Sequence, residues 1–323
     1  MKRCAFLLML MLSVVTIRAQ YVASLQPQQY DKTLHWGGAF QHLDVYGSIG
    51  TTGVGIGLAT PLGESWRLRG GITYMPPLMK KHLHPQVYVG DDNSHFKQVQ
   101  EMMYLETGYK MQDKVSMTGK WEMFNGYLHV DWFPLDDENK FRVTAGIFYG
   151  PARIAKITTD GESAATLSCI AAYNKKYFKV DDDNEILEWG LAGAYMGTYG
   201  HDVVDTDGTI LHKTGDTYLM MPDDDGQLSI DVKTNSIKPY LGVGYELPFS
   251  SLGLQKKKDT WKLAIDAGVL FWGGYPSLRV STDGIDLMRD IDNIPGQKGD
   301  YIKKIKKLVV FPSIGISVIY HLF

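Results

Sequence analysis

Two runs in the C-terminal third set the pattern of this chain. From Ser236 to Leu247 (SIKPYLGVGYEL), Ile237, Leu241, Val243, Tyr245 and Leu247 fall on one side of a period of two. Lys238, Tyr240, Gly242, Gly244 and Glu246 fall on the other. From Trp261 to Trp272 (WKLAIDAGVLFW), Trp261, Leu263, Ile265, Ala267, Val269 and Phe271 oppose Lys262, Ala264, Asp266, Gly268, Leu270 and Trp272. Alternation of this period predicts strands. One face is continuously apolar with aromatic ends, and the other mixes glycine with ionised side chains. An apolar outside around a polar inside is the pattern of a membrane β-barrel.

The alternation recurs along the chain. Leu43, Val45 and Ile49 oppose Asp44, Tyr46 and Ser48, and beyond the tight GTTG at Gly50 to Gly53, Val54, Ile56 and Leu58 oppose Gly55, Gly57 and Ala59. Trp66 to Tyr74, Phe124 to Trp132, Phe141 to Tyr149 and Val310 to Leu322 repeat the pattern. The links PLGES, PLDDENK and PFSSLGLQKKKDT are short, whereas Leu78 to Thr118, Lys156 to Lys233 and Tyr275 to Lys307 are long. Short periplasmic turns opposite long outer loops are characteristic of outer-membrane barrels. The expected fold is all-β: a membrane-spanning, antiparallel, up-and-down β-barrel of eight strands, with long extracellular loops and both termini on the periplasmic side. A weak alternation around Met102 to Met111 leaves ten strands open.

The N-terminus, MKRCAFLLMLMLSVVTIRAQ, has a basic start, an apolar stretch from Ala5 to Val15 and a small residue at Ala19. It reads as a signal peptide over 1–19. Residues 20–42 then form a polar periplasmic segment, and 43–323 the barrel domain. After the leader no apolar run approaches the ~20 residues of a helical span, so any crossing is by strands. The 34 glycines cluster within the alternating runs, and a net charge of −3 gives no case for nucleic acid. Cys169, alone after processing, excludes an internal disulfide and a multi-cysteine metal site. No cofactor and no metal are expected, and the protein is expected to be a monomer.

With its runs GTTGVGIGLATPL, FRVTAGIFYG, NSIKPYLGVGYE and DAGVLFWG and the terminal Phe323, the chain resembles small eight-stranded outer-membrane barrels of the OmpA type. It is also similar to a group of barrel proteins from Bacteroides-type bacteria. The resemblance implies a location in the cell outer membrane and carries no catalytic signature.

The inward positions hold the candidate site. Asp44, Asp131, Glu246 and Asp266 are acidic there, and Arg67, Arg69, Arg142 and Lys262 basic. An eight-stranded lumen is only wide enough for side chains to fill it, and buried charges must pair. The eight residues therefore predict a salt-bridged, non-conducting interior rather than an ion or proton path. In GHDVVDTDG, His201, Asp202, Asp205 and Asp207 read as an acidic hairpin turn. The run lacks the closing glutamate of a calcium loop. His129 and His321 face inward without an identifiable serine and acid, so each reads as a hydrogen-bonded filler and the protein as not an enzyme. Trp66, Tyr74, Trp132, Tyr149, Trp261, Phe271 and Tyr320 fall where a membrane girdle belongs.

In KGDYIKKIKKLVV, Asp300 would cap a short helix with Ile302, Ile305 and Leu308 on one side and Lys303, Lys304, Lys306 and Lys307 on the other. Such a helix is expected to lie in the interface with its lysines on lipopolysaccharide phosphates. The expected role is display of the surface loops for adhesion, recognition or envelope integrity, toward an extracellular protein or glycan partner. The alternatives are a narrow transporter for small or hydrophobic compounds and, third, a lipid-modifying barrel enzyme.

Overall fold

The computed structural model describes residues 42–63, 65–76, 84, 86–89, 94–135, 140–177, 194–223, 225–252 and 260–322. The leader, nearly all of segment 20–42, and Phe323 lie outside the described residues. In chain order the elements are β1 (Asp44–Gly50), β2 (Gly53–Pro61), β3 (Trp66–Tyr74), β4 (Gln86–Tyr88), α1 (Ser94–Thr107), β5 (Lys114–Trp121), β6 (Phe124–Trp132), β7 (Phe141–Tyr149), β8 (Arg153–Thr159) and α2 (Gly161–Tyr177). They continue with β9 (Ala194–Tyr199), β10 (Val203–Val204), β11 (Ile210–His212), β12 (Thr217–Met220), β13 (Ser229–Lys233), β14 (Ile237–Pro248), β15 (Trp261–Phe271), β16 (Ser277–Val280), β17 (Ile291–Asp292), α3 (Gly296–Lys306) and β18 (Val310–His321).

Eight strands, β1, β2, β3, β6, β7, β14, β15 and β18, close into an antiparallel barrel. Closure is made by β1 on β18, in register from Asp44↔His321 to Gly50↔Gly315. These are the eight strands that the alternation predicts. On β14 exposure alternates residue by residue, Ile237, Leu241, Val243 and Tyr245 outward and Lys238, Tyr240, Gly242, Gly244 and Glu246 buried. Ile56, Leu58, Ile72, Leu128, Ile147, Ile265 and Ile316 extend this exposed apolar belt around the barrel. Aromatic side chains bound it at both heights. Trp66 stacks on Trp132 (6.2 Å between centroids) and Trp261 meets Tyr320 (4.6 Å) at the periplasmic end. Tyr74, Phe124, Tyr149 and Phe271 stand exposed at the other. A closed barrel with an apolar belt and two girdles is satisfied by a bilayer, since closure pairs every barrel strand on both sides.

The long links are where the sequence reading needs correcting. Met102 to Met111 is not a strand: it contains the end of α1, so the ten-stranded alternative falls. Phe96, Val99 and Met103 are buried at helical spacing on α1 while Tyr104 and Leu105 are exposed. Together the excursions fold into a cap above the barrel. Its larger sheet has the order β16-β13-β8-β5-β4 and its smaller one β12-β9-β17, with β10-β11 as a separate hairpin. The two sheets and the helices share one apolar core that includes Phe96, Met103, Leu167, Ile170, Tyr218 and Met288. Met75, Met123, Ile154 and Trp272 form a separate cluster at the outer ends of the barrel strands.

The Lys-rich helix also differs from its expectation. α3 starts at Gly296 with Pro295 in the capping position and no side-chain cap, so Asp300 lies inside it. Ile302 is buried and Ile305 packs against the cap core, so this stripe is taken up by protein rather than by the membrane interface. Leu308 falls beyond the helix and is half exposed. The four lysines are exposed.

Candidate functional site

The lumen is built by the same alternation that faces the belt outward. Arg67 and Arg69 enter it from β3, Asp131 from β6, Arg142 from β7, Glu246 from β14 and Asp266 from β15. Arg67 lies directly opposite Asp131 across the β3–β6 ladder. Gly244 of β14 is flanked by Arg142 on one side and Asp266 on the other. A Cβ at Gly244 would stand 2.8 Å from both the Arg142 guanidinium and Asp266 Oδ1, so glycine there lets these two side chains meet across the strand between them.

Their contacts form one network. Arg67 donates through Nε (3.1 Å) and Nη2 (3.0 Å) to Asp131 Oδ2. Arg69 Nη2 donates to Asp131 Oδ1 at 2.9 Å, and its Nε is 2.7 Å from Oδ2 but off the N–H direction. Arg142 Nη2 donates to Asp266 Oδ1 at 2.6 Å. Arg67 and Arg142 both donate to Glu246 Oε1. Thr144 donates its hydroxyl to Asp131 Oδ1 at 2.7 Å. Three guanidinium groups and three carboxylates thus neutralise one another, and the Arg142 side chain is 0% exposed.

Two of the eight predicted residues stand at the edge of this group or outside it. Lys262 is 4.0 Å from Glu246 Oε2 and partly exposed. Asp44 is held apart by the barrel's own register, pairing with His321 Nδ1 (2.8 Å) at the periplasmic rim.

Above the ions the lumen is aromatic. The Tyr46 and Tyr127 hydroxyls hydrogen-bond to one another, from strands separated by β2 and β3. The Arg69 guanidinium lies over the Tyr46 ring at 5.8 Å. His129 stacks on Tyr240 (4.7 Å, 16°) and tilts against Tyr127 (4.7 Å). Contrary to the filler expectation, neither of its ring nitrogens has a hydrogen-bond partner among the described residues. A cavity of about 60 Å³ reaches down from the outer rim to these rings and to Asp266.

Among the described residues these contacts make no nucleophile–base pair, and the cap's acidic residues Asp202 and Asp207 are engaged in turns. Asp202 Oδ1 accepts from the Thr214 backbone N–H (2.7 Å) and hydroxyl (2.8 Å), bonds that hold its carboxyl below the usual range. Asp207 accepts from the Thr209 N–H (2.9 Å) with the same effect. These are turn-forming carboxylates. His201 is 3.6 Å from Asp290 and more than half exposed. Among the described residues no group of three or more His, Cys, Asp or Glu is placed to hold a metal ion.

The closed barrel, its apolar belt and its ion-filled lumen decide the class. The chain is an outer-membrane β-barrel. Neither a family model nor a curated protein matches it. Among solved structures it is similar to Acinetobacter baumannii CarO2 (15% identity, 87% of this chain and 98% of that one, TM-score 0.37). It is also similar to Acinetobacter baumannii CarO (14%, 91% and 100%, 0.37) and to the CymD monoaromatic hydrocarbon channel (8%, 87% and 87%, 0.23). Likenesses as loose as these carry no argument about activity.

Sequence reasoning missed Thr144, the tyrosine clasp and Gly244. Their inward parity was readable; which side chains bridge strands that are not sequence neighbours was not.

Proposed function

We propose that this protein is a non-conducting outer-membrane barrel that anchors a folded cap at the cell surface, where the cap meets an extracellular protein or glycan. The observation that carries the reading is the network of Arg67, Arg69, Asp131, Arg142, Glu246 and Asp266, which joins β3, β6, β7, β14 and β15 across the lumen. An ion crossing here would have to break charge-assisted bonds in a poorly hydrated interior, where each such bond is strong. Purified protein in planar bilayers is expected to be electrically silent. Discrete single-channel openings would overturn this reading and favour the narrow transporter.

The lysines of α3 support a lipid contact for the cap. Lys303, Lys304 and Lys306 of α3 and Lys307 just after it are exposed and lie close in the chain to Val310, which opens β18 opposite the girdle residue Phe271; this supports a contact with lipopolysaccharide phosphates. Near a charged membrane surface each lysine contributes ~1 kcal/mol of attraction, screened over ~8 Å at physiological salt. Replacing all four by glutamine is expected to weaken lipopolysaccharide binding at least ~10-fold at low ionic strength and to change it little at high salt. Equal binding by the two proteins at low salt would reduce the lysines to a solvated face.

A further inference from the structure

The outer half of the lumen has features that the plug does not explain. The cavity is lined by His129, which is 5% exposed and whose two ring nitrogens have no hydrogen-bond partner among the described residues. Leaving such a group unsatisfied is costly. A neutral imidazole offers one donor and one acceptor. The lining of the cavity also includes Ser48, Ser313 and Ser317 and, from the ion network, Arg69 and Asp266. Asp266 Oδ1 is occupied by Arg142 at 2.6 Å and lies 3.6 Å from Arg69. An added ion would have to compete with that neutral network, whereas an uncharged ligand with both donors and acceptors would not. The cavity, about 60 Å³, is several times the ~10–15 Å³ that one water needs, room for a solute of a few heavy atoms.

The rim locates the entrance. Every other outward-running strand pair is joined through the cap, but β1 and β2 are joined by Thr51 and Thr52 alone. Their tip is fixed by the register: Val54 pairs with Ile49 and with the girdle residue Tyr74. The wall is therefore lowest at the height of the outer membrane interface, and Gly50, Thr52 and Gly53 of that tip line the cavity.

We propose that the outer lumen is a binding site for a small, uncharged polyhydroxy group that enters over the β1–β2 tip and hydrogen-bonds to His129. The group arrives either as a free polyol or as the hydroxylated headgroup of an amphiphile in the outer leaflet. The site stands whether or not the lumen conducts, because Arg69 and Asp266 of the ion network line it and it opens outward from them.

The test follows the His129 ring nitrogens by NMR in ¹⁵N-histidine-labelled protein, with the resonance assigned through His129→Phe. In micelles of an amine-oxide detergent, glycerol is titrated against acetate and tetramethylammonium of similar size; in a second arm, a monoalkyl glycerol ether, whose headgroup matches glycerol in size, is titrated into the same micelles. A saturable shift of His129 with glycerol, lost in Ser48→Leu, which narrows the cavity, supports the free-polyol source. A saturable shift with the monoalkyl glycerol ether alone, also lost in Ser48→Leu, supports the headgroup source. No saturable shift in either arm, an equal response to a charged probe, or an unchanged response in Ser48→Leu overturns the proposal. Heat-modifiable mobility on SDS gels verifies that both variants retain the barrel.

Discussion

Arg142→Ala is expected to destabilise the barrel by ~3–5 kcal/mol, the cost of removing one partner from a buried ion pair. The size follows from what is left behind. Asp131, Glu246 and Asp266 would share Arg67 and Arg69 alone, with Lys262 4.0 Å from Glu246 and too exposed to substitute. Asp266 would lose its 2.6 Å donor and keep only Arg69 at 3.6 Å. The double variant Arg142→Met, Glu246→Met removes one charge of each sign and leaves two guanidinium groups facing two carboxylates. It is expected to be less destabilised than the sum of the single changes, with a coupling of ~0.5–3 kcal/mol. Denaturant midpoints in lipid vesicles, with the exposed Lys303→Ala as control, measure both quantities. If Arg142→Ala and Lys303→Ala unfold at the same midpoint, the ions do not stabilise the barrel. If Arg142→Ala instead gains discrete conductance, the network is a gate.

The barrel was legible in the sequence because its strands satisfy two solvents at once. A strand with lipid on one side and a narrow lumen on the other has little freedom in which residue goes where, so Trp66 to Tyr74, Phe124 to Trp132 and Phe141 to Tyr149 matched the observed strands end for end. The inward charges were legible for the same reason, and six of the eight came together. Asp44 did not, because parity along a strand says nothing of depth along the barrel axis, and depth is set by the register that puts Asp44 opposite His321. The cap was not legible. Its strands are short and many of its core residues lie on segments whose other faces are polar, so a sequence reader sees hydrophilic loops. Met103 and Met111 belong to one buried cluster, but one lies on a helix and the other on the chain after it, and no single period describes both. Ile302 and Ile305 were recognised as a stripe. Their partner was misassigned because an amphipathic helix does not specify whether protein or lipid covers it.

That cap is expected to fail separately from the barrel. Ile170 on α2 is completely buried in the cap core, and Leu167 one turn before it is almost so. Truncating a side chain there leaves a void that the two sheets cannot close by collapse, and Ile170→Ala should cost ~2–5 kcal/mol. The loss is expected to stay local. Among the described residues the cap core and the clusters within the barrel have no buried residue in common, and the ladders β1–β18, β3–β6 and β14–β15 close without any cap strand. Local cooperative units of this kind open with their own free energies. Limited proteolysis of the variant in proteoliposomes should therefore cut the cap much faster than in the wild type, while heat-modifiable mobility on SDS gels is retained. The milder Ile170→Val, with an expected cost of ~0.5–1.5 kcal/mol, should fall between the two in cleavage rate. Loss of the SDS-resistant form in Ile170→Ala would show that cap and barrel are one cooperative unit, with the cluster of Met75, Met123, Ile154 and Trp272 as the coupling between them.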